Sequence, residues 1–422
     1  MGKVNNRPNT NLILLLFGRV VSDNGSSIQM LILPLYIIDI GGSAATIGLS
    51  TFLSLMPIML AYPFAGVMGD RLNRKHIMVG ADAFSAIFVF ILALQSYLGH
   101  MNLVMLLTVQ GFVALFYGFF DPATKGMIPQ LVEPDKLAKT NAKVATLRIM
   151  SGMIAPLVAV ALYTRYGITL LFLINGISFL VSALSESLIK YKHVGKKSIA
   201  GIRGVFFDLK EGIMFIRNAL LIKRLSIFFL MVFALIHPVI SVVLPLFFRT
   251  ELNYSDTVYG YLQVVLIFGA LVGSIGAGFS SKDGNMKKTF LAGVGVLSLA
   301  LIGFAVMLFP PIVSRLGNDS LIYLLGFGFM MFMMYTAIMF VSIPLQTIIH
   351  KQTTPDYMSR VFSIVGVISK GGMPLGALIY GALIYGAVLN KVSIHTTAMI
   401  SSVIVLFLSL EFINKIRLME EF

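Results

Sequence analysis

The chain is predicted to be an all-α membrane protein with 12 transmembrane helices, in two six-helix bundles related by pseudo-two-fold symmetry. Three observations carry that prediction. The first is composition: of 422 residues, 57% are hydrophobic and only 12% charged. Soluble domains carry about 25% charged residues. Half that value over the whole length places most side chains against lipid or in a low-dielectric interior. The second is periodic punctuation. Apolar runs of bilayer length, about 20 residues each, fall at roughly 11–39, 45–69, 76–98, 102–124, 143–164, 168–189, 224–248, 257–280, 288–309, 320–349, 358–386 and 393–414. The third is charge. The loops after odd-numbered spans hold only Arg165, Arg249, Arg315 and Lys391, while the basic residues crowd into the termini and the other loops. Positive residues mark the cytoplasmic side, so both termini are expected there. The net charge of +14 is then a topology signal and a contact for anionic lipid headgroups. Nucleic acid is not an expected partner.

Taken in order, the first span is expected to be a retained helix rather than a cleaved leader. It places Arg19 and Asp23 one turn apart near its middle, on one helical face. Ionisable groups at that depth cost roughly 2.5–3.5 kcal/mol on insertion scales and are functional candidates by default. The pair reads either as a self-neutralising structural element or as a proton site centred on Asp23. Gln29, farther along, is a candidate substrate contact. The second and third spans are joined by Gly66-Val67-Met68-Gly69-Asp70-Arg71-Leu72-Asn73-Arg74-Lys75, a short basic hairpin. Asp82 in the third span reads as a partner for nearby bases or as a second proton-coupling acid. The fourth span carries Phe116 and Tyr117, candidate substrate contacts, and ends near Asp121. The fifth carries Gly152-Met153-Ile154-Ala155-Pro156, whose small residues allow close helix approach and whose proline bends the backbone.

Lys190 to Arg224 is the longest polar stretch. It splits the chain into residues 1–195, a connector at 196–222, and residues 223–422. Phe206, Leu209, Ile213, Ile216 and Leu220 recur at three and four residues, the pattern of an interfacial amphipathic helix. In the second half, His237 precedes Pro238 near the middle of the seventh span. A methionine cluster that includes Met334 marks the tenth, and Lys370 stands beside Gly371 and Gly372 in the eleventh. His237 reads as hydrogen-bonded filler or as a coupling group, and Lys370 as the partner of an acid or of an anionic substrate. The halves repeat weakly. Gly66, Asn73 and Lys75 recur as Gly278, Asn285 and Lys287, an offset of 212. Pro134-Asp135 recurs as Pro355-Asp356, an offset of 221, and Pro156 as Pro374, an offset of 218. Three matches in one order point to a six-plus-six duplication.

Gly66, Asp70, Arg71, Arg74 and Lys75 form a Gly-x-x-x-Asp-Arg-x-x-Arg-Lys pattern. It resembles the loop between helices 2 and 3 of the major facilitator superfamily. The fifth-span motif is similar to that of its antiporters. Asp121-Pro122-Ala123-Thr124-Lys125-Gly126 through Val132, Asp208-Leu209-Lys210-Glu211-Gly212, and Arg360-Val361-Phe362-Ser363 look like its macrolide-efflux and enterobactin-exporter-like branch. The resemblance implies a gating latch of Asp70, Arg74 and Asp121, supported by Gly66 and Arg71. As ionisable groups within spans, Asp23, Arg19, Asp82 and His237 are expected to serve proton coupling, and Lys370, Phe116, Tyr117, Gln29 and Met334 are the expected substrate contacts. The implied function is proton-coupled efflux of amphipathic, drug-like compounds by alternating access. The carrier is expected to be a monomer in a bacterial plasma (inner) membrane, with a small-molecule substrate, protons and lipids as partners. Alternative readings are an exporter of a siderophore or other anionic metabolite, a non-transporting sensor, and a lipid-modifying enzyme. The chain has no phosphate-binding Gly-x-x-x-x-Gly-Lys loop and no cysteine. ATP hydrolysis and Cys-ligated metal are therefore not expected, and no cofactor is.

Overall fold

The structure is a computed structural model that describes residues 10–190, 210, 213, 214, 216–280, 286–317, 320–352, 358–389 and 394–417. Most of the connector, the second copy of the loop motif around Lys282 and Asn285, and Pro355-Asp356 lie outside the described residues.

The helices are α1 (Thr10–Asp39), α2 (Ala44–Arg71), α3 (Arg74–Tyr97), α4 (Leu103–Leu131) and α5 (Pro134–Ser187). After the connector come α6 (Leu220–Pro238), α7 (Asp256–Ser280), α8 (Met286–Met307), the short α9 (Pro310–Leu316), α10 (Leu321–Gln352), α11 (Met358–Leu389) and α12 (Ile394–Arg417). Among the described residues, nine stretches are long and apolar enough to cross a membrane. Helix α1 is not one of them, because Arg19, Ser22, Asp23, Asn24, Ser26 and Ser27 interrupt its apolar run. Many large apolar side chains point outward, among them Phe84, Ile87, Ile91 and Leu94 on α3. That suits a hydrocarbon surround in which all backbone polar groups must bond within helices.

Helix boundaries follow local chemistry. The Asn73 side chain accepts from the Lys75 backbone N–H and starts α3, and Asn102 does the same for α4 through Met105. Helix α5 starts at Pro134, whose missing N–H costs nothing at a first turn. The fifth apolar span, expected from 143, therefore sits on a helix that begins nine residues earlier in polar sequence. Its expected end is close. At Gly167 the backbone takes φ 74° and ψ −175°, a region open essentially to glycine alone. This divides α5 into limbs 134–166 and 168–187.

Helix α6 ends differently from expectation. Beyond Pro238 the coil widens into π turns at Val239–Val243 and Phe247–Glu251. Pro238 has no N–H to give the Ala234 carbonyl, so the regular ladder breaks there. That same carbonyl faces Gly376 of α11, while the Leu230 carbonyl faces Gly372; a Cβ at either glycine would collide. The Tyr380 hydroxyl donates to the Leu235 carbonyl at 3.1 Å. A proline on one helix and two glycines one turn apart on another thus make one close crossing.

Residues 1–33 and 53–205 form one compact unit, and 34–52 with 206–422 form the other. In the first, α3 packs against α4 and α5 around Leu15, Met78, Phe120, Met127 and Ile189. In the second, α6 packs against α11, and α10 against α7 and α8. Phe228, Phe290 and Phe412 knit part of its interior, with Phe228 and Phe412 stacked at 4.1 Å.

Candidate functional site

The first unit buries a charge cluster built from four helices. On α1, Arg19 and Asp23 are one turn apart, with Nε to Oδ2 at 3.3 Å. Arg19 also reaches Asp121 of α4 at 2.6 Å. Asp121 accepts from the Tyr62 hydroxyl of α2 at 3.0 Å and from Lys125 Nζ at 2.6 Å. Arg19 and Asp121 are both buried. One guanidinium thus serves two carboxylates from different helices. Such a pair is costly to break from one side, because the remaining charge is stranded in a low dielectric.

The cluster continues inward. Ser22, the next turn of α1, donates to Asp82 Oδ1 of α3 at 3.4 Å. Asp82 lies within electrostatic reach of Asp23 and Arg19. Glu186, in the second limb of α5, lies within reach of Asp82 and Arg19. These helices approach because α1 presents glycines. A Cβ at Gly18 would sit 3.0 Å from Ser182 Oγ, and one at Gly25 would sit 2.6 Å from Asn175 Oδ1. Farther along the same face, Gln29 donates to Gln110 at 3.3 Å and accepts from Asn175 at 2.6 Å. Gln110 in turn donates to Ser54 at 2.9 Å. This network joins α1, α2, α4 and α5. A small opening beside the cluster, about the size of one water, is lined in part by Arg19, Asp23, Leu147 and Ser151, and Asn24 donates to Ser151 Oγ at 2.9 Å.

Of the residues singled out from sequence, Arg19, Asp23, Asp82 and Asp121 come together, and the Tyr117 ring stacks on Phe120 at 6.3 Å beside them. The observed partners of Asp121 are Arg19, Lys125 and Tyr62. Arg74, expected beside Asp121, donates to the Gly126 carbonyl at 2.7 Å. Gly126 makes room for it, since a Cβ there would meet the guanidinium at 2.8 Å. Gly66, Asp70 and Arg71 fall in the last turns of α2, with side chains outside the described residues. Phe116 joins a stack with Phe84, Phe88 and Phe112; Phe84 and Phe112 are exposed. Gln29 is occupied by its amide network.

In the second unit, His237 faces Ser241 at 3.4 Å. Met334 is fully buried and Lys370 is exposed. That unit also holds an ion triad that the sequence reading passed over. Arg249 reaches Asp39 at 2.8 Å and Asp256 at 3.1 Å. In the same unit, Gly48 of α2 crosses Gly381 of α11 so closely that a Cβ on Gly381 would lie 2.9 Å from the Gly48 Cα.

From sequence, Glu186 near the inner end of the sixth span reads as a structural helix-end acid, and Ser182, Asn175 and Gln110 are not singled out. A signal was available. Asn175, Ser178, Ser182, Ser185 and Glu186 recur at helical spacing, drawing a polar stripe down an otherwise apolar span, and Gly18 and Gly25 mark the matching face of α1. Among the described residues no group of three or more His, Cys, Asp or Glu could hold a metal ion.

Comparison with known proteins places this arrangement. Macrolide efflux protein A of Streptococcus pyogenes is 25% identical over 373 residues, 86% of each chain. Multidrug efflux pump Tap of Mycolicibacterium fortuitum is 24% identical over 380 residues, 87% of this chain and 88% of its own. Among solved structures, the nucleoside transporter NupG superposes with a TM-score of 0.76 at 12% identity, covering 97% of this chain and all of that one. A bacterial homologue of the iron transporter ferroportin gives 0.74 at 12%, covering 96% and 98%. At such identities the likeness is one of fold. The sequence profile of the Major Facilitator Superfamily matches residues 15–377. The chain therefore belongs to the Major Facilitator Superfamily: it is a multi-pass membrane transporter of small molecules, not an enzyme.

Proposed function

We propose that the protein is a proton-coupled exporter of amphipathic, drug-like compounds. It would work by alternating access between bundles 1–195 and 223–422, with both termini in the cytoplasm. The single observation that carries the coupling is Arg19 held between Asp23 and Asp121. Asp23 is the less buried of the two acids, with its side chain 18% exposed, and it borders the opening. A proton arriving on Asp23 cancels its hold on Arg19 and leaves the guanidinium to Asp121. Loss of that proton restores the shared state. One titration thus changes which helices are tied together, which is what a carrier needs to link a proton to a conformational step. The efflux relatives, named for macrolides and for multidrug export, support an apolar or amphipathic cargo. The ion triad of Arg249, Asp39 and Asp256 and the buried cluster are read as gating elements, each held by charge pairs that must break and reform.

The test is transport in proteoliposomes with erythromycin as probe. An imposed pH gradient should drive its accumulation, and Asp23→Asn should abolish the drive while erythromycin still binds. Accumulation indifferent to the gradient in the unaltered protein would refute the coupling.

A further inference from the structure

We propose that Asp82 and Glu186 together form a second proton-binding site, buried between α1, α3 and the second limb of α5. The role of its proton in transport rests on the coupling proposed above; the existence of the site does not.

Three observations converge on it. The first is burial: Asp82 is 2% exposed and Glu186 is fully enclosed. The second is the scarcity of donors. Among the described residues, Asp82 Oδ2 and both carboxyl oxygens of Glu186 make no close hydrogen bond; the hydroxyls that face the pair are Ser22, at 3.4 Å from Asp82 Oδ1, and Ser182, shared between the two acids. An ionised carboxylate with empty acceptor sites in an apolar interior is penalised by several kcal/mol. A proton on either carboxyl removes a charge and adds the donor that these oxygens lack.

The third is the charge balance around the pair. From α1 it is faced by Arg19 and Asp23; Arg19 in turn meets Asp121 and Tyr117 of α4, and Asp121 meets Lys125 of α4 and Tyr62 of α2. Among the described residues, the acids of the cluster are Asp23, Asp82, Asp121 and Glu186, and its cations are Arg19 and Lys125. Arg19 is already shared by Asp23 and Asp121, and the Lys125 side chain is 60% exposed and bound to Asp121. Arg19 reaches the inner pair only through space, with no ion-pair contact to either of its acids. Two like carboxyls within electrostatic reach, with no cation in contact with either, repel one another when both are charged, and one shared proton relieves that repulsion. The step needs no other reactant: one O–H bond forms from a proton and a carboxylate, and the same bond breaks on release.

Placement gives the site a use. Ser22 lies one turn from Arg19, so α1 carries both the outer exchange at Arg19–Asp23 and the contact to Asp82. Displacement of Arg19 toward or away from the pair would change the pair's hold on its proton. The inner site would then load or discharge in step with the outer one.

The test uses the full-length protein in lipid bilayers and two independent readouts. Infrared difference spectra across a pH titration report the carbonyl stretch of protonated carboxyls. The expected result is a protonated-carboxyl band in the unaltered protein that persists when bulk carboxylates are ionised. Glu186→Gln and Asp82→Asn should each remove it, and the double variant should do no more than either single one. In proteoliposomes, gradient-driven erythromycin accumulation should fall by about tenfold or more in Glu186→Gln, one logarithmic unit in an equilibrium constant. Erythromycin counterflow without a gradient should fall less. Glu186→Asp, which keeps the acid, should regain both the band and part of the drive. A band that survives Glu186→Gln, or that the unaltered protein never shows, overturns the site. Equal loss of driven flux and counterflow overturns its coupling role and leaves a merely structural residue. If no pH gradient ever drives flux in the unaltered protein, the coupling proposal falls, and the infrared band alone decides the site.

Discussion

Arg19 shows how much a single side chain can decide. Its guanidinium joins α1 to α4 and also neutralises an acid on its own helix. Removing it as Arg19→Ala would leave Asp121 with a largely exposed lysine and the Tyr62 hydroxyl, and would take one guanidinium from Asp23. Breaking a buried pair from one side costs about 3–5 kcal/mol. A marked fall in the thermal midpoint of the detergent-solubilised protein is expected; a midpoint within a degree or two of the original would refute the shared-guanidinium reading. The glycines of α1 make a sharper contrast. Gly25→Ala forces a methyl into Ser178 and Asn175, and overpacking of this kind costs about 1–3 kcal/mol. Gly80→Ala on α3 places its methyl in open space. There the helix gains roughly 0.5–1 kcal/mol from alanine's smaller entropy loss. The two substitutions should move the unfolding midpoint in opposite directions, and parallel shifts would count against the close approach of α1 and α5.

Helices here begin and end where a specific backbone group gains or loses a partner. Asn73 supplies an acceptor to the first turn of α3, so Asn73→Ala should cost about 1 kcal/mol, read as a lower midpoint in thermal unfolding. The junction inside α5 depends on Gly167, whose φ of 74° and ψ of −175° strain any side-chain-bearing residue by about 1–3 kcal/mol. Gly167→Ala should therefore destabilise even though nothing lies within 4 Å of the added methyl. A neutral result would mean that the limbs adjust without the turn. The α6–α11 crossing is a third case. Pro238 frees a carbonyl on α6, and Gly376 lets α11 close over it. Neither residue signals this crossing alone, since proline in a membrane helix is common and glycine pairs are commoner.

Across the two units, the chain interleaves. Residues 34–52, from the end of α1 and the start of α2, belong with the second unit, where Asp39 meets Arg249 and Gly48 meets Gly381. If the triad gates transport, Asp39→Arg should slow erythromycin efflux from cells, and adding Arg249→Asp should restore part of the rate. Absence of any rescue would reduce the triad to an incidental surface pair. The broad architecture was legible beforehand because it depends on one-dimensional quantities. Bilayer-length apolar runs, basic loops and glycine-proline punctuation report solvent preference and backbone freedom, and both are local. Arg19 and Asp23 were legible for the same reason, as charges one turn apart in an apolar run. The partners were not. Asp121 lies 102 residues from Arg19, and nothing in linear order distinguishes Arg19 from Arg74 as its mate. Glu186 read as a helix-end acid because its burial depends on Gly18 of another helix. Sequence alone determined which segments prefer lipid and where charge would be costly. Only the packing of α1 against α3, α4 and α5 decided which charges are compensated and which are left without a donor, because compensation depends on distances between residues far apart in the chain.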